Sequence, residues 1–334
     1  MREVKNILVT GGAGFIGSSF IRYLLTLPEF EGNIVNYDLL TYAANTDNIK
    51  SVSSCKRYFF IQGDICSQNL VEDLLLDYKI DSIVHFAAET HVDRSIANPS
   101  SFFDANIRGT YSLLEALRKM PHIHFHHIST DEVYGSLGEK GFFYENSPYR
   151  PSSPYAASKA ASDHLVKAYG HTYGLRTTLS HSCNNYGPYQ YPEKFIPLLI
   201  LNALQRKTLP IYGMGRNVRQ WIFVEDHSKA VWTILKRGRL GETYDIGGGE
   251  EKSNIELLQL LLKIISEEAS IEHSLLFSLI KYVKDRPGHD FRYAIDGDKL
   301  QKELGWRSEV VLEEGLRKTV RWYLKHANKL FAYR

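Results

Sequence analysis

Apolar residues in this chain gather into short runs, each followed by a glycine-rich or polar break and then by a stretch with helical spacing. Lys5 to Thr10 predicts a buried strand and Phe15 to Leu27 an apolar helix. Asn33 to Tyr37 predicts a second strand, ended by Asp38. Tyr58 to Gln62, Ser82 to Phe86 and Ile123 to Ser129 predict three more, and Arg176 to His181 a sixth. Amphipathic stretches at 68–78, 99–119 and 155–173 separate or follow them. Strands alternating with helices imply an α/β fold built on a doubly wound parallel sheet with right-handed crossovers. From 183 to 217 the pattern loosens into irregular stretches of Pro, Tyr, Asn and Gly around one apolar helix near 194–206. Trp221 to Val224 and Thr243 to Ile246 predict a return to the first domain. The expected division is therefore interleaved. Residues 1–182 with about 218–247 form one domain, and 183–217 with 248–330 form a smaller C-terminal α/β domain.

The break after the first strand carries chemistry. Gly11, Gly12, Gly14 and Gly17 lead straight into the apolar helix. A strand, glycine turn and helix of this kind lays a pyrophosphate on a helix N-terminus, which makes the first domain Rossmann-type. Asp38 ends the second strand about 20 residues after the last of these glycines, where a ribose-binding acid is expected. A carboxylate there bonds a 2′-hydroxyl and repels a 2′-phosphate, so NAD is favoured over NADP. Ligands of parallel sheets bind at the carboxyl ends of the strands. Gly11, Asp38, Asp64, Ala87 and Thr130 all occupy such ends.

Composition narrows the class. The 334 residues suit one nucleotide-binding domain plus a smaller one, and 43% hydrophobic content suits a globular core. A net charge of +2 argues for neither nucleic acid nor membrane as a partner. Cys55, Cys66 and Cys183 have neither metal nor disulfide-framework spacing, which fits a reducing cytoplasm. No apolar run reaches transmembrane length, and no signal peptide precedes the first strand. His122, His124, His126 and His127 look like a metal cluster, but without a Cys or acidic partner at ligand spacing they read as strand packing.

Two acid/base pairs follow the fifth strand. Tyr155 and Lys159 are four apart in a segment whose Pro154 and alanines favour helix, so they share one face. A Lys ammonium about 4 Å from a phenol favours phenolate by roughly 4 kcal/mol at an effective dielectric near 20. That lowers the phenol toward neutrality and suits it to accept a hydroxyl proton while hydride leaves. The second pair is Asp131 and Glu132, directly after Thr130. Adjacent carboxylates take different roles when one is buried and protonated and the other ionised.

These residues carry a resemblance. Gly11 to Gly17, Asp64-Ile65, the run His85 to Ile96, Thr130 to Gly135 and Tyr155 to Lys159 resemble the extended short-chain dehydrogenase/reductase family. Asn184 to Gln190, Pro192 to Lys194, Asn217 to Arg219 and Asp285 to Asp290 narrow it to the dTDP-glucose 4,6-dehydratase family, over about residues 5–325. The resemblance implies a lyase that oxidises a sugar at C4, removes water across C5 and C6, and returns hydride to C6, with NAD as cofactor. It implies Thr130, Asp131, Glu132, Tyr155 and Lys159 as catalytic residues, with Asp131 the acid and Glu132 the base. Gly11, Gly14, Phe15, Ile16, Gly17, Asp38, Asp64, Ile65, Ala87 and Ala88, together with Tyr155 and Lys159, would hold NAD. Arg219 and Arg286 suit a diphosphate, since guanidinium forks match phosphate oxygens. Asn185, Lys194, Asn254, His289 and Tyr293 complete the implied nucleotide-sugar contacts. A homodimer through a four-helix bundle is implied too, and the helices at 99–119 and 155–173 carry apolar residues on more than one face. Met214 stands where the family has an acid, Gln220 where it has Asp, and Cys183 where it has a small residue. These departures leave the base, thymine or uracil, open. A nucleotide-sugar 4-epimerase would use Tyr155 and Lys159 without the carboxylate pair, and a sensing module would need neither. The tyrosines of 186–191 suit either base stacking or loop packing.

Overall fold

The computed structural model describes residues 1–331. In chain order the strands are β1 (Asn6–Thr10), β2 (Asn33–Asp38), β3 (Tyr58–Gln62), β4 (Ser82–His85), β5 (His124–Thr130) and β6 (Thr177–Ser182). There follow β7 (Asn184–Tyr186), β8 (Leu209–Tyr212), β9 (Val218–Phe223), β10 (Thr243–Ile246), β11 (Glu250–Ser253) and β12 (Ile280–Val283). Seven of them form one sheet in the order β10-β6-β5-β4-β1-β2-β3, every pair parallel. The strand order reverses between β1 and β4, which opens a crevice at their carboxyl ends.

Successive side chains of a strand point to opposite faces, and the sheet uses both. Ile7 and Val9 of β1 pack on one side with Phe20, Ile21, Val231 and Trp232, from helices Phe15–Thr26 and Val224–Arg237. Leu8 packs on the other with Val71, Leu113, Leu117 and Val166, from helices Gln68–Asp77, Gly109–Arg118 and Pro154–Tyr173. A separate core joins helices Phe195–Leu204, Asn254–Ala269 and Leu312–Phe331 around Leu199, Leu258, Leu261 and Leu316.

Two sequence expectations change. Residues 221–223 do not join the main sheet. β9 runs antiparallel to β11 and parallel to β7 in a three-stranded sheet. Alternation explains this, because Trp221 and Phe223 face the second core while Ile222 faces the first. The chain returns to the first core with helix Val224–Arg237, which lies on helix Phe15–Thr26. The stretch 99–119 is not uniform helix either. A π-helical segment, Phe103–Arg108, interrupts it and turns Asn106 inward, where it is buried. Such segments are frequent at functional sites.

Candidate active site

The carboxyl edge of the main sheet borders one cleft. Gly11, Gly14, Phe15, Ile16 and Gly17 line it from the first turn. Asp38, Asp64, Ile65, Ala87 and Ala88 line it from the ends of β2, β3 and β4. Gly11 has φ +71°, and a Cβ there would stand 2.5 Å from the Ala87 amide nitrogen. A Cβ on Gly17 would meet the Gly11 carbonyl oxygen at 2.5 Å. The helix beginning at Phe15 has Gly14 as its N-cap and no side-chain cap. Its first N–H groups are therefore available to an anion. Asp38 accepts the amides of Ala13 (2.9 Å) and Leu40 (2.8 Å), which fixes its carboxylate at the cleft wall. Turn, capless helix start and carboxylate together fit a dinucleotide.

Thr130, Asp131, Glu132, Tyr155 and Lys159 line the same cleft. β5 is buried along its whole length and delivers Thr130 to its end. There the Thr130 hydroxyl accepts the Glu132 amide (3.3 Å) and caps a 3-10 turn, Asp131–Tyr134. Asp131 is 2% exposed, and its Oδ2 has no hydrogen-bond partner. Burial, reinforced by the neighbouring Glu132 charge, pushes its carboxyl up to about 8. Glu132 is only partly enclosed. Burial raises its pKa too, but Arg219, Arg286 and Lys194 pull it back. One carboxyl is thus held protonated near neutrality, and the other faces three cations.

Helix Pro154–Tyr173 is started by Ser153, whose hydroxyl accepts the Ala156 amide (3.1 Å), and by Pro154 in its first turn. It sets Tyr155 and Lys159 on its buried face. The expected lowering of the phenol by Lys159 is not realised. Burial, with Glu132 adding to it, drives the Tyr155 phenol far up, and a Thr130 hydrogen bond opposes this. Lys159 is turned to the strand behind it. Its Nζ donates to the Ile128 carbonyl (2.8 Å) and lies 3.3 Å from His127 Nε2. A spacing of four set the shared face but not which acceptor the flexible side chain would take.

Asn185 and Lys194 line the cleft as expected. Lys194 donates to the Thr90 carbonyl (2.9 Å). Arg219 is 8% exposed, donates to the Val218 and Asp290 carbonyls, and covers the Tyr293 ring at 4.2 Å. Tyr293 donates to Asp290 (2.6 Å) and lies in the field of Glu132. Arg286 pairs with Asp93 (3.4 Å), and His289 contacts Asp285 (2.7 Å). Asn254 does not join this group. It opens helix Asn254–Ala269, where its amide bonds the Asn217 carbonyl. Of the departures, Cys183 lines the cleft, Met214 is 60% exposed, and Gln220 is buried and accepts the Ile295 amide.

Sequence reading missed Asn106. Its amide group bonds both backbone groups of Glu89 and the hydroxyl of Ser158, which ties the end of β4 to the Tyr155 helix. Only the π-helical segment exposes this role. It also missed Glu193, which takes a hydrogen bond from Tyr42 (2.9 Å) and a salt bridge from Arg94 (3.2 Å) across the cleft mouth. Glu193 lies inside a run that carried the resemblance, and Asn106 lies outside all of them. His124 and His126 contact the Thr178 hydroxyl at 2.9 and 2.8 Å, as packing groups. Tyr186 is packing as well, edge-on to Trp221 and Phe223, whereas Tyr191 lines the cleft. Among the described residues no helix is long and apolar enough to cross a membrane.

Residues 8–319 match the family model described as GDP-mannose 4,6 dehydratase. The chain is 49% identical to the dTDP-glucose 4,6-dehydratase of Haemophilus influenzae, over 96% of this chain and 98% of the relative. It superposes on the crystal structure of DesIV, a dTDP-glucose 4,6-dehydratase from Streptomyces venezuelae solved with NAD and TYD bound. The TM-score is 0.91 at 44% identity, covering 98% of this chain and 100% of that one. A UDP-glucose 4-epimerase from Thermotoga maritima, solved with UDP-glucose, gives a TM-score of 0.85 at 28% identity over 96% and 99% of the two chains.

Proposed function

This chain belongs to the dTDP-glucose 4,6-dehydratase family, and from that premise we propose that it converts dTDP-glucose to dTDP-4-keto-6-deoxyglucose and water. The observation that carries the reading is the pair Asp131 and Glu132, adjacent in sequence, both raised by burial but with Arg219, Arg286 and Lys194 drawing Glu132 back. A simple oxidoreductase or a 4-epimerase has no use for a protonated acid beside a second carboxyl that three cations draw toward its charged form.

Tyr155, with Thr130 beside it, takes the proton of the sugar 4-hydroxyl. When bound at the glycine turn, NAD would supply the acceptor for the C4 hydride and the donor that returns it to C6. The 4-ketone acidifies the C5 hydrogen, and Glu132 removes it. Asp131 gives its proton to the C6 hydroxyl, which leaves as water. Hydride return to C6 leaves an enolate. Glu132 returns a proton to C5, which restores the 4-ketone, and solvent exchange then takes the proton from Tyr155 and gives one back to Asp131. Arg219 and Arg286 hold the diphosphate, with Lys194, Asn185, His289 and Tyr293 around the sugar and nucleotide. Asn254 contributes through its helix start, outside the cleft. Gly11, Gly14, Gly17 and Asp38 hold the cofactor, with Phe15, Ile16, Asp64, Ile65, Ala87 and Ala88 forming its walls.

We also assign the chain to the cytoplasm, on its three free cysteines, and to a homodimer. The dimer reading rests on a shallow groove between the helices at 100–118 and 154–173. Its lining includes Phe103 and Tyr111, each 46% exposed. Residues 1–182 with part of 218–247 would be the cofactor domain, and the rest the nucleotide-sugar domain. Incubation with dTDP-glucose and with UDP-glucose, followed by mass spectrometry, tests the activity. Loss of water from the dTDP sugar is the expected result. An unchanged mass with an altered sugar would instead establish epimerisation.

A further inference from the structure

Behind the cleft, on the side of Lys159 away from Tyr155, lies a second group of titratable side chains that the chemistry above does not use. Asp163 is one helical turn beyond Lys159 and is fully buried. His127 Nε2 stands 3.2 Å from Asp163 Oδ1 and 3.3 Å from Lys159 Nζ, so the imidazole sits between the two. The other carboxylate oxygen, Oδ2, takes hydrogen bonds from Ser129 (2.8 Å) and Tyr149 (3.1 Å) and lies 3.2 Å from His181 Nε2. His181 is clasped from its far side by Asp245 (2.9 Å) and Tyr134 (2.8 Å). Lys167 approaches through the Tyr149 hydroxyl (3.1 Å).

Among the described residues no carboxylate is in hydrogen-bond reach of Lys159, and Asp163 acts on it as a nearby charge. The lysine's own contacts are the Ile128 carbonyl and His127. A buried ammonium without a counter-charge gives up its proton. We propose that Asp163 is a positioning residue for the reaction: through His127 and its own charge it keeps the Lys159 ammonium protonated and anchored against β5, behind Tyr155. The directions of titration agree. Burial lowers Lys159 to about 8, and Asp163 is the charge that opposes it. Burial also works against the Asp163 charge, but hydrogen bonds from His127 and His181 hold its carboxyl well below the usual range. Burial and the Lys159 charge bring His127 down to about 4, so the imidazole between them is neutral. His181 rises to about 9 despite its burial, because Asp163 and Asp245 bond to it. A cation there offsets part of the Asp163 charge felt at Lys159.

This inference rests on the reading in which Tyr155 is the base for oxidation at C4. It is tested on that half-reaction alone, in a Glu132→Gln background, by the rate at which reduced-nicotinamide absorbance builds on mixing with dTDP-glucose. The rate should fall as pH rises through about 8, where Lys159 loses its proton. Lys159→Arg should abolish the falling limb, which identifies it. Asp163→Asn should move that limb down by about one pH unit or more, the usual effect of an adjacent opposite charge. His181→Asn removes the offsetting cation and should move it up. A merely structural role does not move that limb, and it cannot move it in opposite directions in the two variants. A limb lost in Lys159→Arg but unmoved in both other variants overturns the proposal. If Asp163→Asn fails to fold, a His181→Asn limb that stays in place or moves down overturns it alone. No absorbance in Glu132→Gln by itself overturns the C4-oxidation reading first, and the proposal with it.

Discussion

Asp131 and Asp163 are both buried carboxyls beside the end of β5, at 2% and 0% exposure, yet they titrate in opposite directions. Each leaves one oxygen without a hydrogen bond, but Asp131 has a carboxylate for a neighbour. Asp163 is surrounded by two imidazoles, a serine and a tyrosine. Burial is common to both, so the donors decide. The cleft side of the strand stores a proton, and the far side stores a charge. Glu132 lies between these extremes because Arg219, Arg286 and Lys194 supply the counter-charge that its burial withholds.

The largest test of this contrast is Glu132→Gln. An amide cannot act as a base, and general bases contribute about 10²–10⁴ in rate. Turnover should fall by that factor while C4 oxidation persists, so steady-state assays should show reduced-nicotinamide absorbance that the intact enzyme discharges. Tyr155→Phe should give neither absorbance nor product. Asp131→Asn comes next, with turnover expected to fall about 10²-fold. The intact enzyme should lose elimination as pH rises through about 8, where Asp131 gives up its proton, and the variant should lack that limb.

The same substitution separates function from stability. The folded-state pKa of Asp131 is raised above its unfolded value, so the carboxyl favours the folded state at low pH. That contribution is lost as pH rises from the usual carboxylate range to about 8. Asp131→Asn should therefore melt higher than the intact enzyme at pH 8, and the gap should close below about pH 4, the unfolded carboxylate value. Asp163 has the opposite sign. Its depressed pKa contributes stability above the unfolded value, and protonation at low pH removes it. Calorimetric melting across this range checks both.

A smaller effect is expected from Arg219→Ala. Removing a cation from the Glu132 side should raise the Michaelis constant for the nucleotide sugar about 10-fold, more than it lowers turnover. The acid limb of the pH profile should also move upward, since Glu132 then resembles Asp131. Unaltered affinity would remove Arg219 from the diphosphate.

Much of this was legible beforehand. The edge strand 58–62 was placed to the residue although only Tyr58 of it is buried, and the fully buried β5 one residue off at each end although three of its seven residues are histidines. The glycine turn, Asp38 and the triplet Thr130-Asp131-Glu132 all met in one cleft because parallel strands bring their carboxyl ends together. What could not be read depended on long-range partners. β7 has only three residues, and its pairing with β9 spans an intervening helix and strand. Asn106 turns inward only because the helix takes a π-helical segment. His127 sat in a run of histidines of which two pack on Thr178, and nothing local marks it as the one that meets Lys159.

The central claim is that Glu132 is the base at C5. The most direct measurement is solvent exchange in deuterated water, followed by mass spectrometry of the sugar. The intact enzyme should place one deuterium at C5 of the product and none from solvent through the hydride returned to C6. Glu132→Gln, mixed with substrate under the same conditions, should oxidise C4 yet leave the C5 hydrogen unexchanged. Exchange at C5 at the rate of the intact enzyme would contradict the account and require another base.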